Sequence, residues 1–123
     1  MNEWLAVFIG GGIGSISRYA VSRWLGVTEG GFPIGTLTAN LLSCLVLGLA
    51  WGYFTRHVEV PPTIKLLLLV GFCGGFSTFS TFSMETLKMF QTGNYLMAVG
   101  YIALSILLCI LVIVLSLRVF GGE

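Results

Sequence analysis

The chain has 123 residues, of which 56% are hydrophobic and only 9% are charged, and its formal net charge is +1. Soluble domains carry about 25% charged residues, so this composition excludes a soluble monomer, and it also excludes a disordered chain, which would be poor in apolar residues. The few basic residues are scattered, which excludes the clustered positive charge of a nucleic-acid-binding protein.

Four apolar stretches follow one another along the chain, and each has the ~20 residues that a helix needs to cross a bilayer. They cover about residues 4–25, 33–54, 64–90 and 95–117, and the gaps between them are short and rich in glycine, proline and polar residues. We therefore predict an all-α membrane protein in which residues 1–123 form a single four-helix transmembrane domain.

The first span contains Gly10 and Gly14, a G-x-x-x-G pair that lets helix backbones approach closely. Similar pairs occur in the second span (Gly48 and Gly52) and in the third (Gly71 and Gly75). Arg18 also lies inside the first span, where it either draws anions into a vestibule or extends its side chain outward to the membrane surface.

The second span carries Asn40, a polar residue at membrane depth and hence a functional hypothesis by default. Three roles are open for its amide. It donates to an anion, it caps a broken helix, or it makes an ordinary hydrogen bond between helices.

The third span is unusual, because residues 71–86 read GFCGGFSTFSTFSMET. Its hydroxyl residues are Ser77, Thr78, Ser80, Thr81, Ser83 and Thr86. Glycine costs about 1 kcal/mol relative to alanine in a helix, so Gly74 and Gly75 ahead of these hydroxyls predict a helix broken mid-membrane. A break frees carbonyls for a cation and creates a helix N-terminus that faces an anion. The alternative is a packing seam whose hydroxyls bond to their own helix.

Phe76, Phe79 and Phe82 recur every three residues, which predicts that they share one helical face. Packing alone explains most such stripes, but these rings alternate with hydroxyl residues. A phenyl ring is positive at its edge, so ring edges and hydroxyl donors together suit a small dehydrated anion. Glu85 follows the stripe and either pairs with Lys88 or faces a pathway entrance.

On the fourth span, Tyr101 and Ser105 lie one helical turn apart, where both side chains can line one path. The chain shows no enzyme constellation. It has no Asp, it has no pair of carboxylates within the spans, and its single histidine, His57, lies in a loop.

Lysine and arginine are almost evenly divided between the two sides of the membrane. Arg56, Lys65 and Arg118 lie on one side, and Arg23 and Lys88 lie on the other. Such a distribution barely biases orientation. Either the chain is weakly oriented, or it inserts both ways and pairs antiparallel with itself.

Three segments, GGGIGSISRY (10–19), PIGTLTAN (33–40) and GFCGGFSTFSTF (71–82), resemble in order and spacing the Fluc (CrcB-type) fluoride channels of microbes. The resemblance covers essentially the whole chain. It implies an antiparallel, dual-topology homodimer embedded in the lipid bilayer of the cell (inner) membrane. It also implies two pores per dimer that conduct fluoride passively, with a structural Na⁺ on the two-fold axis.

By motif match, the resemblance implies that Phe79 and Phe82 supply ring edges to fluoride and that Asn40 supplies an amide beside them. Further positions of the fluoride path would be Ser80, Thr81, Tyr101, Ser105 and Glu85, with Arg18 at a vestibule and backbone carbonyls of Gly74 and Ser77 on Na⁺. Two departures are visible. The family often has Thr where this chain has Ser77, and Cys109 and Ile113 stand where a polar track along the fourth span is expected to continue.

Two other functions fit part of the sequence. A small dual-topology, proton-coupled exporter needs a carboxylate near mid-membrane, and Glu85 lies beyond the phenylalanines. A purely structural assembly protein would use the G-x-x-x-G pairs and would conduct no ion.

Overall fold

The helices account for nearly all of residues 1–120, which are the residues described by the computed structural model. Their bounds are Glu3–Leu25 (α1), Ile34–Arg56 (α2), Pro62–Lys65 (α3), Leu66–Phe72 (a π-helical segment), Cys73–Phe76 (α4), Phe79–Gln91 (α5) and Tyr95–Val119 (α6). Helices α1, α2 and α6 and the combined stretch Pro62–Gln91 are each long and apolar enough to cross a membrane. The prediction of four such stretches in an all-helical chain is confirmed for this part of the sequence.

The helix ends follow from local chemistry. Asn2 caps α1 by accepting a hydrogen bond from the backbone N–H of Trp4 at 2.8 Å. Pro62 begins α3, where its missing N–H costs nothing. The turn between α5 and α6 contains Gly93 at φ 82°, a conformation that glycine adopts without strain.

Helix α1 packs backbone to backbone against the third span. A Cβ on Gly10 would collide with the carbonyl oxygen of Leu67, and a Cβ on Gly14 would collide with that of Phe72. From the opposite side, a Cβ on Gly71 would lie 2.9 Å from the carbonyl oxygen of Val7. The close approach predicted from these glycine pairs is therefore present.

A second glycine seam joins α2 to α6. A Cβ on Gly48 would lie 2.6 Å from the Cβ of Ser116, and one on Gly52 would lie 2.8 Å from the ring of Phe120. The three G-x-x-x-G pairs thus serve helix packing, two of them from opposite sides of one contact.

The helical conformation of the backbone is interrupted between α4 and α5. Ser77 (φ −82°, ψ 157°) and Thr78 (φ −148°, ψ 121°) are both extended. One sequence prediction fails here. Phe76 does not share a helical face with Phe79 and Phe82, because it ends α4 while they belong to α5, and two extended residues destroy the three-residue periodicity. Phe76 instead packs against Phe72, with ring centroids 5.5 Å apart.

Large apolar side chains remain on the outside of the single chain. Trp24 is 90% exposed and Leu96 is 89% exposed, whereas the largest completely buried side chain in residues 1–120 is Tyr101. Outward apolar surface of this extent suits lipid or another protein surface rather than water.

Candidate functional site

A cavity of about 230 Å³ lies beside the extended Ser77–Thr78 segment. Its lining comes from α2, the extended segment, α5 and α6: Asn40, Cys44, Ser77, Thr78, Phe79, Phe82, Ser105, Ile106 and Cys109. All of these side chains are uncharged. Within residues 1–120, the cavity wall therefore combines hydrogen-bonding groups with apolar side chains and carries no fixed charge.

Asn40 holds one wall of the cavity by bonding to both backbone groups of Thr78. Its Oδ1 accepts from the N–H of Thr78 at 2.7 Å, and its Nδ2 donates to the carbonyl oxygen of Thr78 at 3.2 Å. Of the three roles open from the sequence, the structure thus shows the second, because the amide bonds to the backbone of Thr78, the residue that precedes α5. The second N–H of Nδ2 is a further donor.

The end of α4 is capped from three directions. The carbonyl oxygen of Cys73 accepts hydrogen bonds from the N–H of Ser77 at 3.0 Å and from the hydroxyls of Ser77 and Ser43, each at 2.9 Å. The carbonyl oxygen of Gly75 accepts from Nε of Arg18 at 2.9 Å. Arg18 therefore turns its guanidinium toward the protein backbone, so snorkelling alone does not describe it.

The two phenylalanines of α5 differ in environment. Phe79 is 78% exposed, whereas Phe82 is buried. Their ring centroids lie 5.6 Å apart, and the ring of Phe82 lies 5.0 Å from that of Tyr101. The Phe82 ring is thus fixed between neighbours, while the Phe79 ring forms the outer edge of the cavity.

Ser105 is part of the cavity wall and carries a buried hydroxyl. The residue is 6% exposed, and its Oγ has no hydrogen-bond partner within residues 1–120. Buried hydroxyls are nearly always paired, and leaving one unpaired costs about 1–3 kcal/mol. An unpaired donor of this kind in a cavity wall is available to a ligand.

Glu85 forms a second polar group with Thr36 and Tyr101, next to Phe82. Its Oε1 accepts from the hydroxyl of Thr36 at 2.6 Å, and its Oε2 accepts from the hydroxyl of Tyr101 at 2.7 Å. The carboxylate thus bonds to two hydroxyls, and no ion pair with Lys88 forms in the described structure. The contact between Phe82 and Tyr101 joins this group to the cavity.

Ser80 and Thr81 lie on the exposed side of the first turn of α5 and are not part of the cavity wall. The hydroxyl of Thr78 caps this turn, because it accepts from the N–H of Thr81 at 3.2 Å, and it lies 3.3 Å from the hydroxyl of Ser80. The structure thus separates these two residues from Asn40, Phe82 and Ser105, which it brings together.

Gly74, the second residue of α4, is exposed, and no heavy atom of residues 1–120 lies within 4 Å of the position that a Cβ would occupy. Ser77 follows three residues later, where the backbone is already extended. The carbonyl end of a helix carries partial negative charge. Within residues 1–120, no cluster of three His, Cys, Asp or Glu side chains suits a metal ion, so cation binding in this region would depend on backbone oxygens.

Sequence reasoning missed Thr36 as a partner of Glu85 and Cys44 as part of the cavity wall. Both lie on α2 four residues from Asn40, which places them on its face of the helix. That spacing is the signal that identifies them.

Comparisons with known proteins match most of the chain to one family and its members. The model of the family described as "CrcB-like protein, Camphor Resistance (CrcB)" matches residues 5–117. The "Fluoride-specific ion channel FluC 1" of Yersinia pestis is 45% identical over 105 residues, which are 85% of this chain and 83% of that protein. The "Fluoride-specific ion channel FluC" of Leptospira interrogans serovar copenhageni is 48% identical over 103 residues, with coverage of 83% and 81%. The protein of that name from Serratia proteamaculans is 43% identical over 106 residues, with coverage of 86% and 84%.

Proposed function

Because this chain belongs to the CrcB-like family, we propose that it is a fluoride-selective ion channel, and not an enzyme, through which cytoplasmic fluoride leaves the cell. The protein is a multi-pass membrane protein with four apolar helices. The observation that carries the proposal is the uncharged cavity in which Asn40, two phenyl rings and the unpaired hydroxyl of Ser105 meet.

Selectivity would arise from replacing the water around fluoride. A small, strongly hydrated anion enters an apolar wall only where donors compensate for the lost water. The free N–H of Asn40 and the hydroxyl of Ser105 are such donors, and the edges of Phe79 and Phe82 add weak positive charge. Beyond Phe82 the path would pass Tyr101 and Glu85. The hydroxyls of Thr36 and Tyr101 donate to Glu85 in this structure, so each would turn its O–H from the carboxylate to fluoride as the ion passes.

Passive conduction suffices for export. Fluoride enters cells as neutral HF, ionises inside, and is then driven outward by an inside-negative potential worth about 2.3 kcal/mol per charge per 100 mV. No charged side chain of residues 1–120 lines the cavity, which agrees with conduction, because a tightly bound ion would leave slowly.

Residues 1–123 would form one transmembrane domain, and two copies would assemble antiparallel in the cell membrane with two pores. The even distribution of lysine and arginine supports insertion in both orientations. The exposed apolar side chains of the single chain supply surface for a second copy as well as for lipid. In this arrangement the extended Ser77–Thr78 segment would lie at membrane depth, buried between subunits as non-helical backbone must be.

We further propose that backbone carbonyls of Gly74 and Ser77 hold a structural Na⁺ where two subunits meet. The fit rests on chemistry: the carbonyl end of α4 favours positive charge, carbonyl oxygens are ligands for hard cations, and the open space at Gly74 lets another backbone approach. A bound Na⁺ would supply the positive charge that joins the two carbonyl ends. Ser77 would act through its backbone, so Ser in place of the usual Thr leaves that role intact.

The proton-coupled exporter is less well supported. Glu85 is bonded to Thr36 and Tyr101 and lies outside the cavity wall, whereas a coupling carboxylate must face the transport cavity. A structural assembly protein is also less well supported, because assembly alone requires no unpaired hydroxyl in a cavity.

Fluoride efflux from liposomes that contain the purified protein tests the proposal, with chloride as the control anion. We expect fast fluoride loss with chloride retained and no need for a pH gradient. Fluoride accumulated uphill by a pH gradient would favour the exporter. Retention of fluoride by liposomes that contain verified, folded protein would overturn the channel proposal.

A further inference from the structure

Two thiols from helices that pack against each other line the same cavity. Cys44 belongs to α2 and Cys109 to α6, and both are part of the wall of the cavity of about 230 Å³. Both are half-buried, so a small ion that enters the cavity reaches them. The third cysteine, Cys73, is buried and is not part of the cavity wall.

The ligand set selects a class of metal. Structural zinc sites are four-coordinate, and no third His, Cys, Asp or Glu joins this pair to form a metal-binding cluster in the described part of the chain. Two sulfur ligands alone suit a soft monovalent ion that accepts linear, two-coordinate binding, which is the preference of silver(I) and copper(I).

We propose that Cys44 and Cys109 form a two-thiol site that binds one soft monovalent metal ion inside the cavity. Binding breaks two S–H bonds and forms two metal–sulfur bonds, and the two protons pass to water. The metal keeps its oxidation state, so no oxidant or reductant takes part. The product, one M⁺ with two thiolates, carries a net charge of −1 where the free site carries none.

This charge has a consequence for anions. The metal ion with its two thiolates would place a net negative charge in the same cavity as Asn40 and Ser105, so it would repel a fluoride ion at short range. Block of fluoride flux by the metal rests on the proposed channel function, whereas metal binding itself does not.

Silver(I) nitrate in chloride-free buffer is the probe, and the silver retained by the detergent-purified protein after desalting is the first readout. We expect about one silver ion per subunit in the natural protein and the same in Cys73→Ala, which keeps both cavity thiols. Cys44→Ala and Cys109→Ser should each lose this silver. Two variants on different helices guard against one that misfolds, and size-exclusion chromatography verifies each.

Flux is the second readout. Silver should abolish fluoride efflux from liposomes that contain the natural protein or Cys73→Ala, and excess dithiothreitol should reverse this block. Silver should not change the efflux of Cys109→Ser, whatever its rate without silver. Silver bound equally by all variants, or by every cysteine independently, would overturn the two-thiol site. Absence of fluoride flux from every protein, together with silver binding that depends on both cysteines, would keep the site and reject the channel.

Discussion

Asn40 bonds to both backbone groups of one residue, Thr78, which lies 38 positions further along the chain. This pair fixes the extended segment against α2 and sets the position of the cavity wall. The same amide is the proposed donor to fluoride, so one side chain both shapes the site and contributes to its chemistry.

Asn40→Asp should abolish fluoride efflux and lower stability. The aspartate keeps an acceptor for the N–H of Thr78, but it places a carboxylate oxygen against the carbonyl oxygen of Thr78 and brings negative charge into the cavity. We expect a loss of about 1–3 kcal/mol in the free energy of unfolding, measured by denaturant titration in detergent. Ser43→Ala is the matched control, because the carbonyl of Cys73 keeps two bonds from Ser77. Equal damage from both substitutions would contradict a special role for Asn40.

Phe82→Ile should block throughput and leave the fold intact. Isoleucine fills much of the buried volume but has no ring edge to offer an anion. We expect liposome efflux to fall about tenfold or more, which corresponds to at least about 1.4 kcal/mol of barrier. Phe76→Ile is the matched control, because Phe76 is equally buried but lies outside the cavity wall. Undiminished flux through Phe82→Ile would refute the ring-edge proposal.

Tyr101→Phe should destabilise the protein by leaving Glu85 with one donor, the hydroxyl of Thr36. A hydrogen bond to a charged group contributes about 1.5–3 kcal/mol, and the free energy of unfolding should decrease by an amount in that range. The phenyl ring itself is retained, so contact with Phe82 persists. Tyr95→Phe serves as control, because Tyr95 is 63% exposed. If the two substitutions had the same effect, the Glu85 bonds would contribute nothing measurable.

Arg18→Lys separates charge from shape. Lysine keeps the positive charge that would draw anions to a vestibule, but it lacks the Nε–H that arginine donates to the carbonyl oxygen of Gly75. We expect a lower melting temperature and slower fluoride efflux than in the natural protein. Arg23→Lys, at an exposed position of the same helix, should have no effect. Natural behaviour of Arg18→Lys would show that charge alone is required there.

Gly14→Ala should destabilise the contact between α1 and the third span. The new methyl group would meet backbone of Phe72 and would lie 2.9 Å from the backbone nitrogen of Phe76. Overpacking of this kind costs about 1–3 kcal/mol, visible as a lower melting temperature by fluorescence-detected chromatography. Gly12→Ala is the control, because no atom in the described part of the chain, residues 1–120, lies within 4 Å of its added Cβ. A helix gains stability when alanine replaces glycine in its interior, so the two variants should shift in opposite directions.

The sequence predicted what depends on local composition. Four apolar helices follow from length and hydropathy, and the glycine pairs predicted which faces approach. The grouping of Phe76 with Phe79 and Phe82 failed, because periodicity assumes one continuous helix and two extended residues interrupt it. The bonds of Thr36 and Tyr101 to Glu85 were also missed, because they join residues 49 and 16 positions apart through helix rotations that no single segment encodes.

The glycine seam between α1 and the third span also limits how the protein can evolve. The atoms that a side chain at Gly10 or Gly14 would strike are peptide carbonyl oxygens, which every amino acid carries. No substitution at Leu67 or Phe72 removes such an oxygen. The usual compensation, a smaller side chain on the facing helix, therefore cannot relieve the clash at these positions. In a selection for suppressors of Gly14→Ala, true reversion should therefore dominate over second-site repair.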